Sequence, residues 1–151
     1  MKTLARGAQA PDFELPDQHG KPVHLSDLLL LGPVVLFFYP AAMTPGCTKE
    51  SCHFRDLAAE FGAVGAQRVG ISTNLVRRQK EFAEAHGLDY PLLSDENGEV
   101  ADTYGVRRRF LTPVKRATFV IDADGTILEV IASELNMNLH ADRALAVLRE
   151  R

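Results

Sequence analysis

The sequence predicts an α/β fold in which a mixed central sheet is flanked by helices and preceded by a short N-terminal hairpin extension. Three observations predict it. Residues 34–39 and 67–72 are strand-like runs, each followed by a stretch of helical period, the arrangement that joins parallel strands through helical crossovers. Residues 117–121 and 126–132 are two further runs separated by Asp122-Ala123-Asp124-Gly125, a turn that folds its flanks into an antiparallel pair. An amphipathic segment at 138–150 supplies a closing helix for one sheet face.

The elements follow in order. Residues 11–15 and 22–25, with Asp17-Gln18-His19-Gly20 between them, form the hairpin, and Ser26 caps a brief apolar turn at 27–31. The strand at 34–39 leads into a helix that opens on Thr44-Pro45, an N-cap hydroxyl with proline at the first helical position. Phe54, Leu57, Ala58 and Phe61 keep helical spacing, so that helix is expected to run on to Gly62. The second strand ends in the polar Ser72-Thr73-Asn74, and a helix from Leu75 to His86 stops at Gly87. Pro91-Leu92-Leu93 is a short extended piece, Asn97-Gly98 a turn, and residues 99–104 a short helix before the second hairpin.

At 151 residues the chain has the length of one ordinary domain. No repeat or linker divides it, so residues 1–151 are expected to form a single unit with a sizeable core. Hydrophobic residues at 46% and charged residues at 25% exclude a disordered or fibrous chain. A formal charge of −3 lacks the basic excess of a nucleic-acid binder. The longest apolar stretch, 28–38, is broken by Gly32-Pro33 and too short for a bilayer, and residues 1–10 lack the apolar centre of a signal peptide. The expected location is cytoplasmic, with no membrane or nucleic-acid partner. In a reducing compartment two cysteines this near each other are more often catalytic, redox-active or metal-binding than structural.

Both cysteines lie on the helix that follows the first central strand. Cys47 falls in its first turn, where unpaired backbone N–H groups and the positive end of the helix dipole favour a thiolate over a thiol. Cys52 is five steps on. In an intact helix that spacing puts the two Cα atoms about 8 to 9 Å apart, whereas a disulfide wants them within about 7 Å. The pair can join only if the first turns unwind, which implies a two-state cycle rather than a structural staple.

The residue types alone leave other readings open. Cys52 fits an ordinary buried thiol, Thr44-Pro45 a plain helix cap, and Arg116 a solvated charge at a strand end. His53 adjoins Cys52, but neighbours along a helix face different ways. Arg107-Arg108-Arg109 and Lys115 read as solvated loop surface. His19, His24, His53, His86 and His140 show no metal-ligand spacing, and the 122–125 turn lacks the later ligands of a calcium loop, so no metal is expected.

Taken together, several segments resemble the peroxiredoxins, and within them the bacterioferritin comigratory protein or peroxiredoxin Q group. The family pattern Pro-x-x-x-Thr-x-x-Cys stands here as Pro40, Thr44 and Cys47. The group's Thr-Pro-Gly-Cys-Thr-x-Glu-x-Cys runs from Thr44 to Cys52 and is followed by Phe54-Arg55-Asp56. Pro91-Leu92-Leu93-Ser94-Asp95, Tyr104-Gly105-Val106 and Arg116-x-Thr118-Phe119-x-Ile121-Asp122 match further along. The resemblance implies a thioredoxin-like fold and a thiol peroxidase without metal, haem or other cofactor. It implies Cys47 as the peroxidatic cysteine, Cys52 as the resolving one, Pro40, Thr44 and Arg116 as the rest of the peroxide site, and a thioredoxin-type dithiol as reductant. A monomer is the default for the group, with a weak homodimer through the loops near Cys47 as the other option.

Two stretches depart from the family. Between the motif proline and threonine, where charged or polar residues are common, this chain has Ala41-Ala42-Met43, a more apolar rim. The usual Ser-x-Asp-Ser after the second strand reads Ser72-Thr73-Asn74-Leu75, a change to which the sequence attaches no function.

The chemistry of peroxide reduction asks for more than a thiolate. An unperturbed thiol is already a few per cent ionised at neutral pH, so ionisation gives only a modest part of the rate and oriented donors must supply the rest. Arg116 offers a fork of permanent N–H donors, Thr44 a hydroxyl, and Pro40 a rigid ring that shields sulfur from water. An alternative use of the same Cys47–Cys52 switch is a peroxide sensor or redox-switched chaperone. A thiol-disulfide oxidoreductase is disfavoured by the missing Cys-x-x-Cys.

Overall fold

The computed structural model describes residues 2–151. A two-stranded antiparallel sheet, β1 (Glu14–Pro16) with β2 (Pro22–His24), precedes a five-stranded sheet. The order across the larger sheet is β5 (Leu92–Ser94), β4 (Gln67–Ser72), β3 (Val34–Phe38), β6 (Ala117–Ile121), β7 (Ile127–Ala132). The first three run parallel, while β6 is antiparallel to β3 and β7 to β6, giving the mixed sheet expected.

Strand β3 sits at the centre with layers on both faces, which is why its sequence is a continuous apolar run rather than an alternation. Its side chains still divide with period two. Val35 and Phe37, followed by Tyr39, face a core that includes Phe54, Phe61, Phe82 and Leu145, and Val34, Leu36 and Phe38 face Leu25, Tyr104 and Phe119 on the other side. The Phe37 and Phe54 rings stack with centroids 4.1 Å apart. That stack lays helix α2 (Pro45–Asp56) across the sheet and sets its N-terminus, with Cys47, beyond the carboxyl end of β3.

Three local expectations are corrected. The helix predicted to run on to Gly62 breaks at Leu57 and resumes as α3 (Ala58–Ala63). The Arg68 guanidinium takes the Phe54 carbonyl at 3.0 Å, the acceptor that the Ala58 N–H would use in a continuous helix. Ser26 does not cap the turn that follows the hairpin. That turn is helix α1 (Leu25–Leu29), and the Ser26 N–H instead donates to Asp12 Oδ1 at 2.9 Å. Thr44 does occupy the N-cap position of α2, but its hydroxyl donates to the Ala41 carbonyl at 2.8 Å rather than accepting a helical N–H.

The segment around Pro91 turns out to be a paired edge strand, since β5 extends the parallel ladder of β4. Helix α4 (Val76–His86) ends on Gly87 in the left-handed conformation, and α5 (Glu99–Thr103) precedes a loop into β6. The closing helix α6 (Met137–Glu150) is capped by the Asn136 side chain, which accepts from the Leu139 N–H. Among the described residues no helix is long and apolar enough to cross a membrane.

Candidate active site

Cys47 lies in the first turn of α2 and is fully buried. Its Sγ receives a hydrogen bond from Arg116 Nη2 at 3.3 Å. Arg116 immediately precedes β6, the antiparallel neighbour of β3, so the pairing of those two strands carries the guanidinium to the N-terminus of α2. Its backbone N–H is held by Glu134 Oε1 at 3.2 Å, and Glu134 also pairs with Arg108 at 2.7 Å. Arg108 is therefore more than solvated loop surface, because it helps to anchor the carboxylate that fixes the Arg116 backbone.

The second arm of the guanidinium goes to Glu50, with Nη1 2.7 Å from Oε1. Glu50 is one helical turn beyond Cys47, on the same face, and completely buried. Burial pushes its carboxyl up to about 8, against the opposing pull of the Arg116 charge. Glu50 Oε2 lies 3.6 Å from His140 Nδ1 on α6 and has no hydrogen-bond partner of its own. The His140 Nε2–H donates to the Ser133 carbonyl at 2.8 Å, which leaves Nδ1 as the acceptor for the Thr118 hydroxyl, also at 2.8 Å. Burial lowers the imidazole below its ordinary range, so His140 adds no positive charge.

These contacts set the charge balance. Burial works against the Arg116 cation, but the Glu50 carboxyl and the Cys47 sulfur outweigh it and raise its affinity for the proton, so the guanidinium stays charged. Burial biases Glu50 toward its neutral form, its 2.7 Å bond positions Arg116, and the other arm of the guanidinium faces the Cys47 sulfur. Gly46 makes the close approach possible, because a Cβ there would stand 3.2 Å from Arg116 Nη2 and 3.4 Å from Met137 Sδ.

Residues 6–130 match the AhpC/TSA family. A putative peroxiredoxin of Mycobacterium tuberculosis is 64% identical over 152 residues, covering 99% of this chain and 97% of that protein. Peroxiredoxin Bcp of Escherichia coli is 39% identical over 156 residues, covering 99% of each. The chain belongs to the peroxiredoxins. The crystal structure of peroxidoxin BcpB from Mycobacterium tuberculosis, 63% identical, matches with a TM-score of 0.94 over 97% of each chain. The mixed sheet is the thioredoxin-like fold of that family, and membership brings thiol peroxidase activity, a peroxide substrate and a thiol reductant.

In this peroxiredoxin the structure brings Cys47 and Arg116 into contact and places Pro40 and Thr44 on the loop that enters α2. Cys52 is apart from them, half-buried further along an unbroken α2, and both thiols are free. Sequence reasoning missed Glu50 and His140. A signal for Glu50 was present, since it follows Cys47 at helical spacing on the face that also carries Phe54 and belongs to the matched motif. Nothing in the spacing of His140 pointed to the site.

The raised carboxyl of Glu50 makes a prediction about pH. Between pH of about 4.5 and about 8 the folded protein holds a proton that the unfolded chain has released, so this group's contribution to stability falls as pH rises through that window and is level above it. Glu50→Gln removes the titration. In urea denaturation of the reduced proteins, the stability of the variant relative to wild type should rise steadily across the window. A difference that stays constant would contradict the assignment.

Proposed function

We propose that this peroxiredoxin reduces hydrogen peroxide and organic hydroperoxides with Cys47 as the peroxidatic cysteine, Cys52 as the resolving cysteine and a thioredoxin-type dithiol as electron donor. The observation that carries the reading is the 3.3 Å contact between a buried sulfur at a helix N-terminus and a guanidinium. The Cys47 thiolate attacks the distal peroxide oxygen. An S–O bond forms, the O–O bond breaks, sulfur is oxidised to the sulfenic acid, and the departing alkoxide or hydroxide takes up a proton.

Arg116 acts where the charge moves. Its N–H groups hold the sulfur before attack and the peroxide oxygens during it, in a site from which water is excluded. Thr44 has a defined polarity, because its hydroxyl proton is committed to the Ala41 carbonyl, so its lone pairs are what it offers to a peroxide O–H. Pro40, half-buried and without an N–H, brings a rigid ring suited to shielding the sulfur from water. The Ala41-Ala42-Met43 rim suits a peroxide that carries an apolar group.

Resolution follows. The Cys52 thiol displaces the sulfenic oxygen as water and forms the disulfide, which requires the first turns of α2 to open. A dithiol donor then restores both thiols by exchange. The test is peroxide-dependent NADPH oxidation coupled through thioredoxin and thioredoxin reductase. Sustained turnover is expected. One stoichiometric oxidation followed by arrest would replace the peroxidase with a peroxide sensor.

A further inference from the structure

The loop from Pro40 to Thr44 has a shape that its own sequence does not favour. Met43 sits at φ 69°, in the left-handed region that a non-glycine side chain avoids. Something outside the loop must hold it there. Within the loop the Thr44 hydroxyl bonds the Ala41 carbonyl, and the Ala42 N–H between them leaves the loop to reach Asn74 Oδ1 at 2.8 Å.

Asn74 is the end of a longer relay. Its Oδ1 also accepts from the Ser72 hydroxyl at 2.8 Å; Ser72 Oγ accepts from Gln79 Nε2 at 3.0 Å; and Gln79 Oε1 accepts from the Tyr39 hydroxyl. The direction of each bond is determined. Gln79 Nε2 must face the Leu93 carbonyl at 2.8 Å, because only the amide nitrogen can donate there, and this turns Oε1 toward Tyr39 and the other amide hydrogen toward Ser72. Ser72 then has its proton left for Asn74, whose oxygen must point at Ala42. Tyr39, Gln79 and Ser72 are buried, so water does not compete. Tyr39 directly precedes Pro40, so the relay begins at the residue before the loop and ends on the loop itself.

We infer that Asn74 is a positioning residue for peroxide reduction: by holding the Ala42 N–H it keeps the Ala41 carbonyl facing the Thr44 hydroxyl, and so keeps the lone pairs of Thr44 turned toward the peroxide. The inference rests on the peroxidase reading above. It gives a function to the stretch Ser72-Thr73-Asn74, which the sequence left without one.

The experiment compares wild type, Asn74→Ala and Asn74→Asp by two rates measured at Cys47. One is oxidation by hydrogen peroxide, which needs the loop; the other is alkylation by iodoacetamide, which needs the thiolate but not the loop. Asn74→Ala should be oxidised about tenfold more slowly, the effect in a rate of one hydrogen bond of ordinary net strength, with alkylation unchanged. Asn74→Asp keeps an oxygen for the Ala42 N–H and should recover most of the loss. Oxidation of Asn74→Ala at the wild-type rate, a parallel fall of both rates, or an Asp variant as slow as the Ala variant would each overturn the inference. Wild-type Cys47 that alkylates but is not oxidised would instead overturn the peroxidase reading, and the inference with it.

Discussion

Arg116→Met slows oxidation of Cys47 by hydrogen peroxide by about a hundredfold to a thousandfold, the usual consequence of removing an oriented donor from a buried site of charge development. The side-chain bonds lost are few and known: Nη2 to the Cys47 sulfur and Nη1 to Glu50. Nε makes none. Methionine is unbranched and flexible enough to fill the space of the arginine stem, and Glu50, already driven toward its neutral form by burial, is not left as a bare buried charge. The backbone contact of residue 116 with Glu134 does not depend on the side chain. The rate should therefore fall far more than the stability does. Oxidation measured by quenched flow, beside urea denaturation of the same sample, separates the two, and an unchanged oxidation rate would remove Arg116 from the site.

Cys52→Ser has the next largest effect, and on a different step. Oxidation of Cys47 proceeds, but the sulfenic acid has no internal partner. A dimedone adduct at Cys47 accumulates, turnover with thioredoxin collapses, and excess peroxide carries the sulfur on to the sulfinic acid. The helix reports the same step. In the reduced protein α2 is held by the Tyr90 hydroxyl on the Ser51 carbonyl at 2.7 Å, by His53 on Asp142 at 2.7 Å and by the stack of Phe54 on Phe37. Joining the sulfurs must loosen its first turns, so amide hydrogen exchange in residues 48–52 should accelerate on oxidation of wild type and stay slow in oxidised Cys52→Ser. Equal protection in the two oxidised proteins would mean that the disulfide forms without the unwinding argued here.

The parts legible in the sequence were those decided locally or by simple burial. Strand β3 reads as continuous apolar residues because both of its faces are covered, and Asp122-Ala123-Asp124-Gly125 names its own hairpin. The place of Cys47 in a first helical turn followed from Thr44-Pro45. What the sequence did not yield depends on side chains that arrive from far along the chain. The break at Leu57 is made by Arg68 taking a carbonyl, the cap at Ser26 is pre-empted by Asp12, and the Thr44 hydroxyl turns back onto its own loop because the Ala41 carbonyl is within reach. Arg116 meets Cys47 across 69 residues, a pairing that spacing cannot suggest and that family resemblance alone brought forward. Glu50 lay inside the quoted motif without a function until burial and Arg116 supplied one.

The account stands on the Cys47 sulfur being the atom that peroxide oxidises. The most direct measurement is peptide mapping of reduced wild-type protein after one equivalent of hydrogen peroxide, with free thiols blocked before digestion. The account predicts consumption of the peroxide and a single disulfide joining Cys47 to Cys52. Recovery of both cysteines as blocked thiols, with the peroxide still present, would contradict it.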